Sequence, residues 1–205
     1  MLVKEYGLTG EEVRSFGEFF MQKLFILRER EETVGAGIPH SPQSVFAADR
    51  IQKWLYHMKN DIYVIEIYDR EGTLFRKIDR RYEPLPLIAS EAEAFRTDPS
   101  DPRPLFQRML REMPLPEHKT ITQLMCVDDR GFLCVQTFEE REDSGRSQVA
   151  YDIFERDGFY DAREWLDSAL ELTGVIFAGG KVYALMEEES GFRSFKRYQL
   201  RWDPR

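Results

Sequence analysis

The sequence predicts a mainly β fold of antiparallel four-stranded units, with a short helical insertion near residues 90–113. Three observations predict it. A hairpin pattern recurs: VIEIYDREGTLFRKI, Val64 to Ile78, is a strand crowded with β-branched and aromatic residues, a turn at Asp69-Arg70-Glu71-Gly72 and a second strand. The stretches starting at Leu2 and Gln148 repeat it. All three have an aromatic residue four positions before a glycine (Tyr6/Gly10, Tyr68/Gly72, Phe154/Gly158) and an arginine soon after (Arg14, Arg76, Arg163). Such recurrence is the mark of a repeat architecture. Strand-like runs also follow one another in fours between short turns. Finally, aromatic residues make up 13% of the chain, and strands favour them.

Composition sets outer bounds. The 205 residues suffice for one good core or two small ones, and 42% hydrophobic with 32% charged residues is the balance of a soluble globular chain. No apolar run reaches the ~20 residues needed to span a bilayer. The first 20 residues hold several acids and no cleavage-site pattern, so no signal peptide is expected and localisation stays open. The net charge of −8 argues against a nucleic-acid or anionic-membrane binder, which needs a basic surface.

In chain order, residues 2–20 read as the first hairpin. Lys23 to Glu32 is mixed, with LFILRE open between a strand and a helical turn running into the charged RERE, and Gly35 to Gln43 reads as a loop. His40, between prolines in that loop, is expected to be exposed polar surface. Residues 44–80 give four strands (SVFAA, IQKWLYHM, IYVIEIYD, TLFRKID), a meander of the size of one propeller blade. Residues 81–118 interrupt the pattern. Ser90 with Glu93 reads as a capping box opening a short helix, and a second helix runs from about Pro104 to Met113. Its apolar face, Leu105, Phe106, Met109, Leu110 and Met113, covers a sheet edge or blade end, or else serves as a lid. Residues 119–166 give a second four-stranded unit, with Arg141 to Ser147 as a flexible connection. Residues 172–202 give an incomplete third unit whose Gly179-Gly180 marks a hairpin.

The chain has two cysteines, Cys126 and Cys134, flanking the turn at Asp128-Asp129-Arg130-Gly131. If Val127 lies opposite Leu133, the two face each other; a slip of one residue separates them. Free thiols and a cross-strand disulfide both stay open, with free thiols favoured. No Cys-x-x-Cys pair exists, so no structural zinc is expected.

IYVIEIYDREGTLFRKI, MCVDDRGFLCVQTF, AYDIFERDGFYDA and GGKVYALMEEESGFRSFKRYQLRW resemble the bacterial six-bladed β-propellers of the NHL and TolB-like group. The family's inner hairpin pattern is matched by Asp128, Gly131, Leu133 and Val135, and its outer one by Ile65, Ile67, Tyr68, Asp69 and Gly72. The resemblance covers roughly 44–80 and 119–202 and implies a single partial propeller domain, 1–205, of an exported or periplasmic kind. The chain departs from it in strand number, with about thirteen strands against about twenty-four in six blades of four. Two copies closing one ring, capping by residues 21–43 and the helices, or a longer parent chain would each resolve this.

No nucleophile elbow, zinc-protease, P-loop or dinucleotide motif occurs, so no catalytic residue, metal or cofactor is assigned. His40, His57 and His118 are scattered, and His57 is expected to be a satisfied sheet residue. Glu187-Glu188-Glu189 and Glu139-Glu140 are expected to be solvated, and Trp54, Trp165 and Trp202 to pack between strands. Some propellers of the resembled kind are calcium-dependent lactonases using Glu, Asp and Asn; Asn60, the sole asparagine, makes that a poor match. Two functions are therefore carried forward: a non-enzymatic propeller that binds a protein or small molecule, and a metal-dependent hydrolase with acids at the channel mouth. Asp49, Asp128 and Asp129 are the acids to inspect.

Overall fold

The structure is a computed structural model that describes residues 2–6, 9, 12–168, 175–187 and 193–199. It is mainly β, with antiparallel sheets and two helices. The chain divides into two compact units: residues 1–44, 59–63 and 80–121, and residues 45–58, 64–79 and 122–205. Among the described residues no helix is long and apolar enough to cross a membrane.

The first unit contains two hairpins and both helices. β1 (Leu2–Tyr6) pairs with β2 (Glu12–Glu18), as the sequence predicts. Gly10, the glycine of that copy of the motif, lies outside the described residues. The ambiguous stretch is a strand, β3 (Leu24–Glu29), paired with β4 (Glu32–Gly37). The expected loop from Gly35 therefore starts only after Gly37. The glycines that suggested a loop permit close packing instead. A Cβ on Gly35 would lie 3.3 Å from Ile26 Cγ1, and one on Gly37 would overlap the Gln22 side chain at 2.5 Å.

α2 (Pro104–Glu112) has proline in its first turn, as predicted. Its buried residues Leu105, Met109 and Leu110, with Met113, pack on Val34 and against Phe25, Leu27, Ala36 and Ile38 of the β3–β4 region. The face thus covers the β3–β4 hairpin. Arg108 also reaches Glu29 of β3 at 2.9 Å. α1 (Ala89–Ala94) starts earlier than the Ser90 cap predicts. Its N-cap is Ile88, whose N–H donates to the Glu91 carboxylate at 3.3 Å. The acid reaching back is thus Glu91 rather than Glu93, and no hydroxyl completes a capping box. The insertion closes at its base, where Leu87 N–H meets the Glu117 carbonyl at 2.9 Å and Lys119 N–H meets that of Leu85 at 2.8 Å.

The second unit carries three antiparallel meanders. The first is β5 (Ser44–Asp49), β6 (Trp54–Lys59), β7 (Val64–Tyr68) and β8 (Leu74–Asp79). The second is β9 (Thr122–Val127), β10 (Leu133–Asp143), β11 (Arg146–Phe154) and β12 (Tyr160–Asp167). The third is β13 (Val175–Ala178), β14 (Lys181–Glu187) and β15 (Arg193–Gln199). The strands correspond closely to those read from the sequence. One correction concerns 141–147. β10 and β11 run to a two-residue turn at Ser144 (φ 53°) and Gly145 (φ 75°), so this is a twisted hairpin tip and not a loose connection.

Side chains of the second and third meanders pack together. Cys134, Val149, Tyr151 and Ile153 of the second meander form a buried cluster with Val175 and Phe177 of β13. The β11–β12 turn lies against β8, where a Cβ on Gly158 would be 3.1 Å from Ile78 Cδ1, and Arg76 donates to the Asp157 carbonyl.

The α2 packing has a measurable consequence. Met109 is fully buried, so Met109→Ala is expected to cost about 2–5 kcal/mol through lost burial and the cavity left behind. A urea-denaturation midpoint close to that of the parent chain would show that α2 is not held on the β3–β4 hairpin.

Candidate binding cleft

The first strands of the three meanders open onto one cleft of about 600 Å³. Phe46, Ala47 and Ala48 line it from β5, Met125, Cys126 and Val127 from β9, and Val175, Ile176 and Phe177 from β13. Arg50 and Ile51 of the β5–β6 turn and Asp128 and Asp129 of the β9–β10 turn complete it. The lining is apolar along the strands and charged at the turns, the mixture typical of a site that orients a ligand by a few polar groups.

The turn acids are held by their own loops. Asp128 Oδ1 accepts the N–H groups of Arg130 (2.8 Å) and Phe132 (2.9 Å), while Oδ2 accepts the Arg130 guanidinium at 3.1 and 3.0 Å. Asp69 caps its turn in the same way, taking the N–H groups of Glu71 (2.9 Å) and Thr73 (2.8 Å). Asp49, 3% exposed, accepts from the N–H groups of Ile51 (2.6 Å) and Gln52 (3.0 Å). Asp129 takes the N–H of Gly180 at 3.0 Å, tying the β9–β10 turn to the β13–β14 turn. The three acids singled out in the sequence thus all lie at the ends of first strands, and each accepts backbone N–H groups; Asp128 also holds the Arg130 guanidinium, and among the described residues Asp49 Oδ2 is buried without a hydrogen-bond partner. Among the described residues, no group of three or more His, Cys, Asp or Glu side chains is arranged to hold a metal.

Asn60, 1% exposed, accepts the Gln43 N–H at 2.8 Å through its side chain, and its carbonyl accepts the Ile121 N–H at 2.7 Å. His40 is half-buried, not exposed as expected. Its Nδ1 lies 3.4 Å from Thr120 Oγ1, its ring meets Phe95 edge-on at 5.8 Å, and burial lowers its pKa. His118 is exposed, opposite Pro86 in an isolated bridge. Trp54 packs against Phe75 at 5.0 Å, and Trp165 lies under the Arg141 guanidinium at 4.5 Å. Trp202, Glu188 and Glu189 lie outside the described residues. Glu139 is not merely solvated. It pairs with Arg163, which also holds the fully buried Asp152 at 2.9 and 3.1 Å.

A four-residue ladder on the first meander was not legible beforehand. Glu66 Oε2 receives Tyr68 Oη at 2.9 Å and lies 3.0 Å from His57 Nδ1, while Oε1 pairs with Lys77 Nζ at 2.6 Å. Cross-strand register creates it, because His57 lies opposite Glu66 and Glu66 opposite Lys77. Burial lowers the His57 pKa, outweighing its carboxylate partner. Burial alone would raise Glu66, but hydrogen bonds from Lys77, His57 and Tyr68 hold it below its ordinary value. Burial and the Glu66 hydrogen bond push Tyr68 up to about 12. The phenol therefore stays protonated as the donor.

No protein-family model matches the chain, and no curated protein matches it.

Two predictions follow from this geometry. Asp128→Ala strands the Arg130 and Phe132 N–H groups and is expected to cost about 1–3 kcal/mol by chemical denaturation; an unchanged midpoint would show that the turn closes without its carboxylate. His57 and Glu66 both have folded pKa values below their reference values of 6.5 and 4.5. In those windows the unfolded chain binds more protons, so stability is present above each reference value and falls with decreasing pH. His57→Gln should flatten the decline that begins near 6.5, and Glu66→Gln the decline below 4.5, in midpoints measured against pH.

Proposed function

We propose that this chain is a non-enzymatic binding domain, built as a sector of a β-propeller of the NHL and TolB-like kind, that takes a protein segment or small molecule in the cleft at its first strands. One observation carries the reading: the first strand of each of three successive meanders lines the same cleft. Innermost strands facing a shared axial space are the arrangement expected of propeller blades. The hairpin motifs at Asp69–Gly72 and Asp128–Gly131, through which the sequence resembles that group, are the turns that shape these meanders. A binding scaffold needs no catalytic constellation. It needs a stable concave surface, and the turn acids serve that end by holding the rim.

The test is a ligand screen read by protein NMR on the parent chain and on Ala48→Trp. Ala48 is exposed in the cleft, so tryptophan there fills the space without disturbing a core. Ligand-induced shifts are expected to cluster on β5, β9 and β13 and to disappear in the variant. Shifts clustered elsewhere, or unaffected by the tryptophan, would overturn the reading. A calcium titration discriminates the hydrolase alternative. The binding reading predicts no rise in melting temperature, whereas a native-state metal site must produce one.

A further inference from the structure

The two cysteines are the only two in the chain, and the fold brings them together. Cys126 of β9 and Cys134 of β10 are direct partners in the antiparallel register, with Val127 opposite Leu133 beside them. Directly opposed residues point to one face of the sheet, with Cα atoms about 4.5–5.5 Å apart. A disulfide needs Cα atoms about 4.4–6.8 Å apart, so the backbone suits a bond without rearrangement. Both thiols are free in this structure.

Their environments differ in the way a two-step oxidation requires. Cys126 is half-buried and lines the cleft, so a small oxidant reaches it. Cys134 is buried in the cluster with Val149, Tyr151 and Ile153, shielded from solvent. Its hydrogen bond to Cys126 and its burial push the Cys134 thiol pKa up, so it waits as a protonated thiol. Tyr151 in the same cluster is wholly buried, and among the described residues its hydroxyl has no hydrogen-bond partner. It is a spare donor beside the pair.

We propose that Cys126 and Cys134 form a peroxide-sensitive dithiol site, with Cys126 as the attacking thiol and Cys134 as the resolving one. The Cys126 thiolate attacks one oxygen of a hydroperoxide; the O–O bond breaks and the alkoxide or hydroxide leaves, taking a proton. Cys126 is then a sulfenic acid. The Cys134 sulfur attacks that sulfur, the S–O bond breaks, and water departs with the Cys134 proton. Two thiols and one peroxide become one disulfide, one alcohol or water, and one further water. The bond ties two strands that are already paired, so the cleft loses a thiol while the sheet keeps its register.

The experiment treats the full chain with hydrogen peroxide, then denatures it, alkylates it with a maleimide and measures its mass. The parent chain is expected to lose two hydrogens, to take up no maleimide, and to recover both sites after dithiothreitol. Cys134→Ser should leave Cys126 as a sulfenic acid captured by dimedone, whereas Cys126→Ser should leave Cys134 fully alkylatable. Oxygen addition at Cys126 of the parent chain without loss of two hydrogens would overturn the proposal. So would full alkylation of both cysteines after peroxide, or a disulfide found only between chains. Because the parent chain carries the main readout, poor folding of either serine variant leaves the test intact.

Discussion

The structure depends first on how its hairpin turns close. At Asp69–Gly72, Asp128–Gly131 and Glu155–Gly158 the same backbone bonds recur. The glycine N–H returns to the acidic residue's carbonyl at 3.1, 3.1 and 2.8 Å, and the acid's N–H reaches the residue after the glycine at 3.0, 2.9 and 2.9 Å. The glycines take φ of 81°, 89° and 79°, a region that side chains penalise. In the two aspartate copies the carboxylate also collects two N–H groups that would otherwise be stranded. Turn geometry fixes hairpin register, and register decides which side chains are buried, since a slip of one residue exchanges the faces of a strand.

Register then controls the packing above it. Ile65 and Ile67 are fully buried while Glu66 between them joins the polar ladder to His57, Tyr68 and Lys77. In the second meander Asp152 sits fully buried between Tyr151 and Ile153, which is tolerable because Arg163 lies opposite and grips it with two nitrogens. Gly158 serves twice: it permits the turn, and its missing side chain lets Ile78 of β8 approach. Asp129 extends the principle from one hairpin to the next by capturing Gly180 N–H.

Much of this was legible. The strands of 44–80 and 119–166 follow from β-branched and aromatic runs between turn residues, and the facing cysteines follow from assuming Val127 opposite Leu133. The covering face of α2 was legible from its spacing of three and four. Less was legible where tertiary context reverses a local signal. Gly35 and Gly37 signal a loop in isolation but lie in β4 because Ile26 and Gln22 crowd that strand. The half-buried state of His40 depends on Phe95 and Thr120, 55 and 80 residues away. The Glu66 ladder needs three strands in register, and Asp49, Asp128 and Asp129 read equally well as catalytic acids or turn caps until their N–H partners are known.

The central claim is that the turn-fixed meanders stack so that their first strands share one cleft. The most direct measurement is a set of nuclear Overhauser contacts in a methyl- and aromatic-labelled sample. The account predicts contacts from the Ile78 δ-methyl to the Gly158 α-protons and from Phe177 ring protons to the side chains of the Cys134, Val149, Tyr151 and Ile153 cluster. Intact contacts within each meander, with both of these sets missing, would contradict it: the sheets would form without stacking, and no common cleft would exist.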